Sequence, residues 1–389
     1  MNKSISIKHL AAIVALELLL ALPLGLALTK VGIGGVAWLF GGIASGALVY
    51  RAWQFFYKVT PKPNKKARQI GQTLVGLSIG FAIANSNLTA VATQLPVLIL
   101  LTLFSLVTGT VIGYFYSRIS KVNLFNAMLA TAPGGVGIMS SIAADYGRNV
   151  SQVALVQSLR VTTVVLTIPL VARLLAADAA GASGAISSSL FQIDISSLPL
   201  LVLALAIALI GVRVATLLKI PAAPFFGALI IGVLFNPLLN SLPFITDLDF
   251  TPPRLVNLIG QILLGVAVGE HWGNQPNLTK KSIGYALIPV GLIIGVGLIA
   301  AAIATQLTPW DWLTCMLVTA PGGAPEMILV SLALDHNVEV VTAGHLVRLI
   351  GLNVSLPAWI FLINYLERRL STANPKSLPS RKASEQLSA

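Results

Sequence analysis

The pentapeptide Thr-Ala-Pro-Gly-Gly occurs twice in this chain, at residues 131–135 and 319–323, and each copy lies near the middle of a long apolar segment. Proline lacks the amide hydrogen that an unbroken helix needs, and glycine tolerates nearly any backbone angle, so the helix must open at each copy. An opened backbone cannot face lipid, because its polar groups would lose their hydrogen bonds. Each interruption therefore has to be covered by protein or line a cavity.

The composition predicts a polytopic membrane protein. Of the 389 residues, 56% are hydrophobic and 10% are charged, a balance that soluble globular domains do not show. The net charge of +12 comes from lysines and arginines that crowd into short loops and the C-terminal tail. Because charge placed there orients membrane segments, we expect a lipid bilayer as the partner and no nucleic acid.

Twelve apolar segments follow one another along the chain. The first six are roughly 9–29, 32–56, 69–87, 93–117, 122–144 and 150–175, and the second six are roughly 197–218, 222–240, 255–270, 282–305, 312–334 and 338–366. The pattern predicts a first membrane repeat over 1–175, a linker over 176–196, a second repeat over 197–366 and a disordered cytoplasmic tail over 367–389.

The two sets of segments are copies of one unit. With a constant offset of 188, residues 131–160 align with 319–348 without a gap, and ten of those thirty positions are identical. Arg160 aligns with Arg348. Upstream, Ile70-Gly71-Gln72 matches Ile259-Gly260-Gln261. The order of landmarks is the same in both halves, so the chain arose by duplication.

The charges in the loops predict that the two repeats are inverted. The loop after the second segment is strongly basic and should be cytoplasmic, since it holds Arg51, Lys58, Lys62, Lys65, Lys66 and Arg68. The equivalent loop, 240–253, carries Asp247 and Asp249 and no lysine or arginine. We therefore expect a multi-pass protein of the bacterial inner membrane with both termini in the cytoplasm.

Inversion requires an odd number of crossings in each half, whereas each half has six apolar segments. The natural non-crossing segments are 122–144 and 312–334, where Pro-Gly-Gly can turn the chain back as a re-entrant hairpin. The sequence thus predicts an all-α fold with about ten spanning helices and two hairpins. The alternative is that both segments are broken helices that cross, with 222–240 misassigned.

A substrate site is predicted between the two interruptions. A helix that begins after each Gly-Gly pair presents free amides and the positive end of its dipole, which favour an anion. The residues assigned to this site are Thr131, Pro133, Gly134, Gly135, Thr319, Pro321, Gly322, Gly323, Arg160, Arg348 and Gln157. The arginines lie inside apolar segments and need partners. Two roles stay open for them, a latch on the hairpin and direct contact with substrate.

Glu326 and His345 are the candidates for coupling an ion or proton. Glu326 follows Gly323 by three residues, and its equivalent in the first repeat is Ile138. A carboxylate there can carry a proton or coordinate Na⁺, with His345 as a second titrating group. The alternative is that Glu326 merely complements the helix dipole.

The duplicated unit, with its Ile-Gly-Gln element and terminal Thr-Ala-Pro-Gly-Gly, resembles the bacterial membrane AbrB family, of the aidB-regulator type. The resemblance covers about residues 9–366. Members of this family are labelled as regulators of gene expression or as ammonia monooxygenases. We expect no enzyme, because the four histidines His9, His271, His336 and His345 are scattered over three regions and oxidation chemistry needs clustered ligands. No cofactor and no metal is expected.

Two functions are consistent with the sequence. The first is a secondary transporter for a small anionic solute, driven by H⁺ or Na⁺. The second is a membrane sensor or regulator that binds a ligand in the same pocket and affects gene expression without transport. The partner is a small molecule or ion in both cases. The oligomeric state stays open, with a homodimer as one candidate.

Overall fold

The computed structural model describes residues 7–31, 34–58, 63–84, 86, 88–176, 197–243, 248–273 and 280–373. These ranges contain helices and no strand. In chain order the helices are α1 (Ile7–Lys30), α2 (Ala37–Tyr57), α3 (Lys65–Ile83), α4 (Leu88–Ala92), α5 (Leu95–Ser120), α6 (Leu124–Thr131), α7 (Val136–Asp145), α8 (Val150–Ala176), α9 (Leu198–Leu217), α10 (Ala223–Asn240), α11 (Arg254–Gly273), α12 (Lys280–Leu307), α13 (Trp312–Thr319), α14 (Ala324–Ala333) and α15 (Val338–Ala373). A turn of 3-10 helix, Gly34–Val36, precedes α2.

The helices have the lengths and composition of membrane spans. In the described part of the chain, seven are long and apolar enough to cross a bilayer, namely α1, α5, α8, α9, α10, α12 and α15. Helices α2, α3 and α11 are similar in length, at 21, 19 and 20 residues. The prediction of an all-α polytopic membrane protein is confirmed. The short helix α4 was not predicted.

The packing of equivalent helices confirms that the two halves are inverted. Helix α3 of the first half is equivalent to α11 of the second, and the two cross each other. Gly71 lies against Leu263, whereas Gly260 lies against Val75. Residue numbers rise along one helix as they fall along the other, so α3 and α11 are antiparallel. The contacts of α2 and α10 obey the same relation, because α2 packs on α11 as α10 packs on α3.

The helices form two bundles. Helices α1–α3 and α9–α11 make the panel bundle, in which backbones approach closely at glycines such as Gly42 and Gly265. Helices α5–α8 and α12–α15 make the hairpin bundle. The largest buried cluster joins them. It includes Leu39 and Ile79 from the panel bundle and Leu317 and Ile328 from the hairpin bundle.

The first Pro-Gly-Gly segment reverses the chain. Helices α6 and α7 have 8 and 10 residues, which corresponds to about 12 and 15 Å, or half the thickness of a bilayer core. The ring of Phe125, at the start of α6, lies 5.0 Å from the ring of Tyr146, just after α7. The guanidinium of Arg148 lies over the same Phe125 ring. The chain therefore leaves where it entered, and we call α6–α7 hairpin 1.

The second segment makes the same reversal. His336 and Asn337, just after α14, lie beside the start of α13, since Nδ1 of His336 is 3.4 Å from Oδ2 of Asp311 and Nδ2 of Asn337 donates to Oγ1 of Thr314 at 3.2 Å. We call α13–α14 hairpin 2. The geometry thus selects re-entrant hairpins over crossing broken helices.

The predicted linker and tail fall largely on residues whose structure is not described. The linker residues 177–196 lie outside the described ranges, as do 374–389 of the tail. Helix α15 continues through the first seven residues of the predicted tail, to Ala373. Its Glu367 is held by a 2.7 Å ion pair with Arg148 and a 2.6 Å hydrogen bond from Asn123, so this part of α15 is attached to both ends of hairpin 1.

Candidate functional site

Each hairpin starts at a capped helix, and the two caps are equivalent in the repeat. The side chain of Asn123 accepts hydrogen bonds from the amides of Phe125 and Asn126. Asp311, at the offset of 188, accepts from the amides of Leu313 and Thr314, and the Thr314 hydroxyl also donates to it. These caps fix where the first arm of each hairpin begins.

Protonation of Asp311 should weaken hairpin 2. Burial would raise the pKa of Asp311, but hydrogen bonds from Thr314 and the nearby His336 outweigh it, so this pKa is lowered. The contribution of the cap is therefore complete above the ordinary pKa of 3.8 and declines as the pH falls through the lower folded-state pKa. At pH 7 we expect Asp311→Ala to lower the free energy of unfolding by about 1 kcal/mol. Thermal unfolding of the purified protein in lipid nanodiscs measures this change.

The control for this prediction is Asn149→Ala, which removes an uncharged cap that accepts a hydrogen bond from the amide of Gln152 at the start of α8. The loss of unfolding free energy in this variant should not change over the same acidic range. A wild-type advantage over Asp311→Ala that stays constant down to pH 2 would contradict the prediction.

The hairpin tips are tied to α5 and α12 by threonine hydroxyls. Oγ1 of Thr131 lies 2.9 Å from the carbonyl oxygen of Gly109, and Oγ1 of Thr319 lies 3.0 Å from that of Gly297. Gly109 and Gly297 are also related by the offset of 188. These two glycines were missed in the sequence, although the offset would have found them.

Arg160 holds the turn of hairpin 1. Its Nη1 donates to the carbonyl of Ala132 at 2.7 Å, and its Nη2 donates to the carbonyl of Gly134 and to Oε1 of Gln157, both at 2.8 Å. Gln157 in turn donates to the carbonyl of Leu129. The Arg160 side chain is buried, with 3% of its surface exposed. These contacts are the ones that a latch requires.

Arg348 makes an equivalent but smaller set of contacts. Its Nη1 donates to the carbonyl of Ala320 at 2.7 Å, and its Nη2 lies 2.6 Å from Nδ1 of His345. A guanidinium only donates, so Nδ1 of His345 accepts, and the proton of the neutral ring is on Nε2, which faces the carbonyl of Leu317 at 3.1 Å. Two of the five guanidinium donors are thus used, and three remain.

The two tips meet at a central cavity of about 30 Å³, enough for one or two water molecules. Five residues predicted for the site line it: Thr131, Pro133, Thr319, Pro321 and Arg348. Residues missed in the sequence line the rest: Ser105, Thr108, Gly109, Ile112, Ile293, Val296, Gly297 and Ala300. Arg160, Gln157 and His345 bind the carbonyls at the ends of the first arms and do not line the cavity.

Helices α7 and α14 both begin without a side-chain cap. Their N-cap residues are Gly135 and Gly323, which follow Gly134 and Gly322. The first amides of these helices consequently keep donors that no side chain satisfies. In α14, Pro325 removes one of them. The first turns thus carry partial positive charge next to the tips.

Glu326 is a buried carboxylate beside the tip of hairpin 2. It is 3% exposed, and its Oε2 has no hydrogen-bond partner. The carboxylate folds back over Gly323, so that a Cβ at this glycine would collide with it. Gly322 faces Val164 of α8. Glu326 therefore lies under the turn and not on the cavity wall.

The two hairpins differ sharply in how they pack. In α7 only Met139 and Ala143 are buried, and the helix packs mainly on α6 and α8. In α14 the whole run 325–331 is buried, because α14 also packs on α3 and on the turn Gly34–Val36. Gly35 touches the backbone of Ala333 there. Hairpin 2 is closed against the panel bundle, whereas hairpin 1 is not.

The fold and site define a class: an all-helical membrane protein with inverted repeats and two re-entrant hairpins that meet at a central cavity. The chain belongs to the AbrB family, since the family model described as transition state regulatory protein AbrB matches residues 38–364. It is similar to the uncharacterized protein YhjN of Bacillus subtilis (strain 168), with 28% identity over 88% of this chain and 90% of that protein. It is also similar to the protein named putative regulator AbrB of Escherichia coli (strain K12), with 24% identity over 82% of this chain and 86% of that protein.

Proposed function

We propose that this chain is a secondary transporter for a small anionic solute, driven by H⁺ or Na⁺, with its site between the two hairpin tips. One observation carries the proposal. Arg160 and Arg348 are close enough for their charges to interact, and no carboxylate of the described residues lies within 4.0 Å of either guanidinium. Paired like charges without a counter-ion in a buried place favour a bound anion.

The roles of the two arginines follow from their contacts. Arg160 is committed to hairpin 1 and supplies charge from behind the turn. Arg348 lines the cavity with three donors uncommitted, so it contacts the anion directly. The hydroxyls of Thr131, Thr319, Ser105 and Thr108 also lie at the cavity, but each donates its proton to a backbone carbonyl, so the guanidinium supplies the free donors. Oxyanions such as carboxylates, phosphate or sulfate suit the planar donor fork of a guanidinium.

The unequal packing of the hairpins supports alternating access. In a pair of inverted repeats, exchange of the conformations of the two halves opens the site to the opposite side. With the basic loop of residues 58–68 in the cytoplasm, hairpin 1 enters from the cytoplasmic side and hairpin 2 from the outside. The conformation described here, with hairpin 2 closed and hairpin 1 loosely packed, then faces the cytoplasm.

Glu326 is the proposed coupling residue. A buried carboxylate with an unpaired oxygen is stabilised when it binds a proton or a cation. Glu326 also lies under the turn that must move when hairpin 2 opens. His345 is the second candidate. In this conformation its Nδ1 accepts from Arg348, so a second proton on the ring would break that contact and release Arg348.

A membrane sensor or regulator is the second candidate function. The relative in Escherichia coli carries the name regulator, and a cavity between hairpins can bind a ligand without moving it. We propose, for both functions, a place in the bacterial inner membrane with both termini in the cytoplasm. Neither proposal involves an enzymatic reaction or a nucleic acid, and a homodimer is compatible with both.

Transport is tested in two steps. Purified protein is first screened by thermal shift against acetate, succinate, citrate, phosphate and sulfate, and the anion with the largest shift is then radiolabelled. In proteoliposomes with an imposed pH or Na⁺ gradient, we expect the wild type to accumulate this anion. Glu326→Gln should lose the dependence on the gradient, because the substituted side chain carries neither a proton nor a cation. The measurement is the initial rate of uptake with and without the gradient.

The matched control is Glu339→Gln, which changes a less buried carboxylate at the start of α15. It should accumulate the anion as the wild type does. Binding that shifts the melting temperature but produces no flux under any gradient would favour the sensor. Gradient-driven uptake by Glu326→Gln at the wild-type rate would remove Glu326 from the coupling mechanism.

A further inference from the structure

The panel bundle contains two buried carboxylates that the central site does not use. Glu17 on α1 is 0% exposed, and Glu270 on α11 is 2% exposed. Neither lies within 4.0 Å of a lysine, arginine or histidine nitrogen among the described residues. Two buried negative charges without a cationic partner destabilise the folded protein unless a proton or a cation neutralises them.

The two carboxylates meet at the seam between α1, α2 and α11. One turn after Glu17, Ala21 packs against Ile262 and Val266 of α11. Next to Glu270, Gly269 lies against the backbone of Ala47 on α2. Glu17 and Tyr50 of α2 both lie near enough to Glu270 for its negative charge to act on them.

The two carboxylates differ in whether a hydrogen-bond donor reaches them, and this difference favours a proton on one of them. Both oxygens of Glu17 are buried without a hydrogen-bond partner. Oε2 of Glu270 accepts a 2.8 Å hydrogen bond from the amide of Asn64, the residue that caps α3. A donor stabilises the ionised form of a carboxylate, and burial without a donor favours the neutral form.

A metal ion fits this pair less well than a proton. Hard cations take about six oxygen ligands, and the described residues contain no group of three His, Cys, Asp or Glu side chains that could hold one. The hydroxyl of Ser45, which is also buried on α2, donates to the carbonyl of Gly42. A single proton neutralises one carboxylate and lets it donate a hydrogen bond.

We propose that Glu17 and Glu270 form a proton-binding site in the panel bundle, with the proton on Glu17 and the negative charge on Glu270. The site is separate from the cavity between the hairpins and does not depend on transport. Release of the proton leaves two negative charges in the seam, so α1 packs less tightly on α2 and α11 as the pH rises.

The test is infrared spectroscopy of the full-length protein in lipid nanodiscs, titrated from pH 5 to pH 10 in buffers free of divalent cations. The carbonyl stretch of a protonated carboxyl group reports the proton directly. We expect this band in the wild type at pH 7, its loss in Glu17→Gln, and its persistence in Glu326→Gln apart from any contribution of Glu326 itself. In Glu270→Gln the band should disappear at a lower pH, because the neighbouring charge is gone.

The wild-type spectrum alone makes the proposal falsifiable, even if a variant fails to fold. If the wild type shows no such band at pH 7, or if the band stays unchanged in Glu17→Gln, Glu17 is ionised and the proposal is wrong. If Na⁺ or Mg²⁺ raises the melting temperature of the wild type but not of Glu17→Gln, and the band is absent, the pair binds a cation instead.

Discussion

Replacing Arg160 with alanine should cost the folded protein about 3 to 5 kcal/mol, whereas the same change at the equivalent Arg348 should cost about half as much. Arg160→Ala leaves the Gly134 carbonyl and Oε1 of Gln157 without their donor in a buried place. Arg348→Ala affects one carbonyl, that of Ala320, and the ring of His345. The two changes are chemically identical and differ only in context.

The two variants separate the latch role from contact with substrate. Thermal unfolding in nanodiscs gives the stability of each, and the thermal shift with the bound anion gives its affinity. We expect Arg160→Ala to fold poorly, and Arg348→Ala to fold but to lose binding by at least tenfold. The assignment would be reversed if Arg348→Ala failed to insert while Arg160→Ala folded and lost binding. Arg348 would then be the latch, and Arg160 would contact the anion.

Conservative replacements sharpen the comparison. Lysine keeps the charge but cannot reach two carbonyls with one planar fork. Arg160→Lys should therefore recover little stability, because the contacts to Ala132 and Gly134 use different nitrogens. Arg348→Lys should recover part of the anion affinity, since charge alone attracts the anion to the cavity.

Many of the paired contacts in the hairpin bundle were predictable because the same sequence repeat occurs twice in the chain. The offset of 188 linked Arg160 to Arg348 and Thr131 to Thr319, and both pairs have equivalent contacts. The reversal itself was undetermined, since a segment of about 23 apolar residues either crosses a bilayer or turns back in it. Contacts between the ends of the arms, such as that of Phe125 with Tyr146, decide between the two, and no local sequence signal encodes them.

Other features lay beyond sequence reasoning for a physical reason. Identical pentapeptides predicted equal hairpins, yet α14 is buried and α7 is not, because α14 also packs on α3 and on the turn Gly34–Val36. The proximity of Glu17 and Glu270 could not be predicted, because the two residues lie far apart in the sequence and come near each other only when α1 packs beside α11. The wall of the cavity contributed by α5 and α12 was missed because Ser105, Thr108 and Ile293 look like ordinary residues of spanning helices.

The panel bundle depends on helix backbones that touch at glycines, so a side chain added at these glycines should destabilise it strongly. A Cβ at Gly265 would lie well under 3.0 Å from the carbonyl oxygen of Leu39, and one at the equivalent Gly76 would lie as close to that of Phe225. Real Cβ atoms essentially never approach so closely, and the obstacle is backbone, which cannot rotate away. We expect Gly265→Ala and Gly76→Ala to cost about 3 kcal/mol or more each, at the upper end of overpacking effects.

The control is Gly291→Ala on α12, where a Cβ would meet no atom within 4 Å. This exposed helical glycine should gain up to about 1 kcal/mol from the better helix propensity of alanine. All three variants make the same chemical change, so thermal unfolding followed by tryptophan fluorescence compares them directly. Gly291→Ala should raise the free energy of unfolding, whereas the other two changes should lower it. We expect equal losses of stability at Gly76 and Gly265, because the two glycines are equivalent in the repeat. Unchanged melting of Gly265→Ala would mean that α2 and α11 lie farther apart than described, and the panel bundle would then need a different helix arrangement.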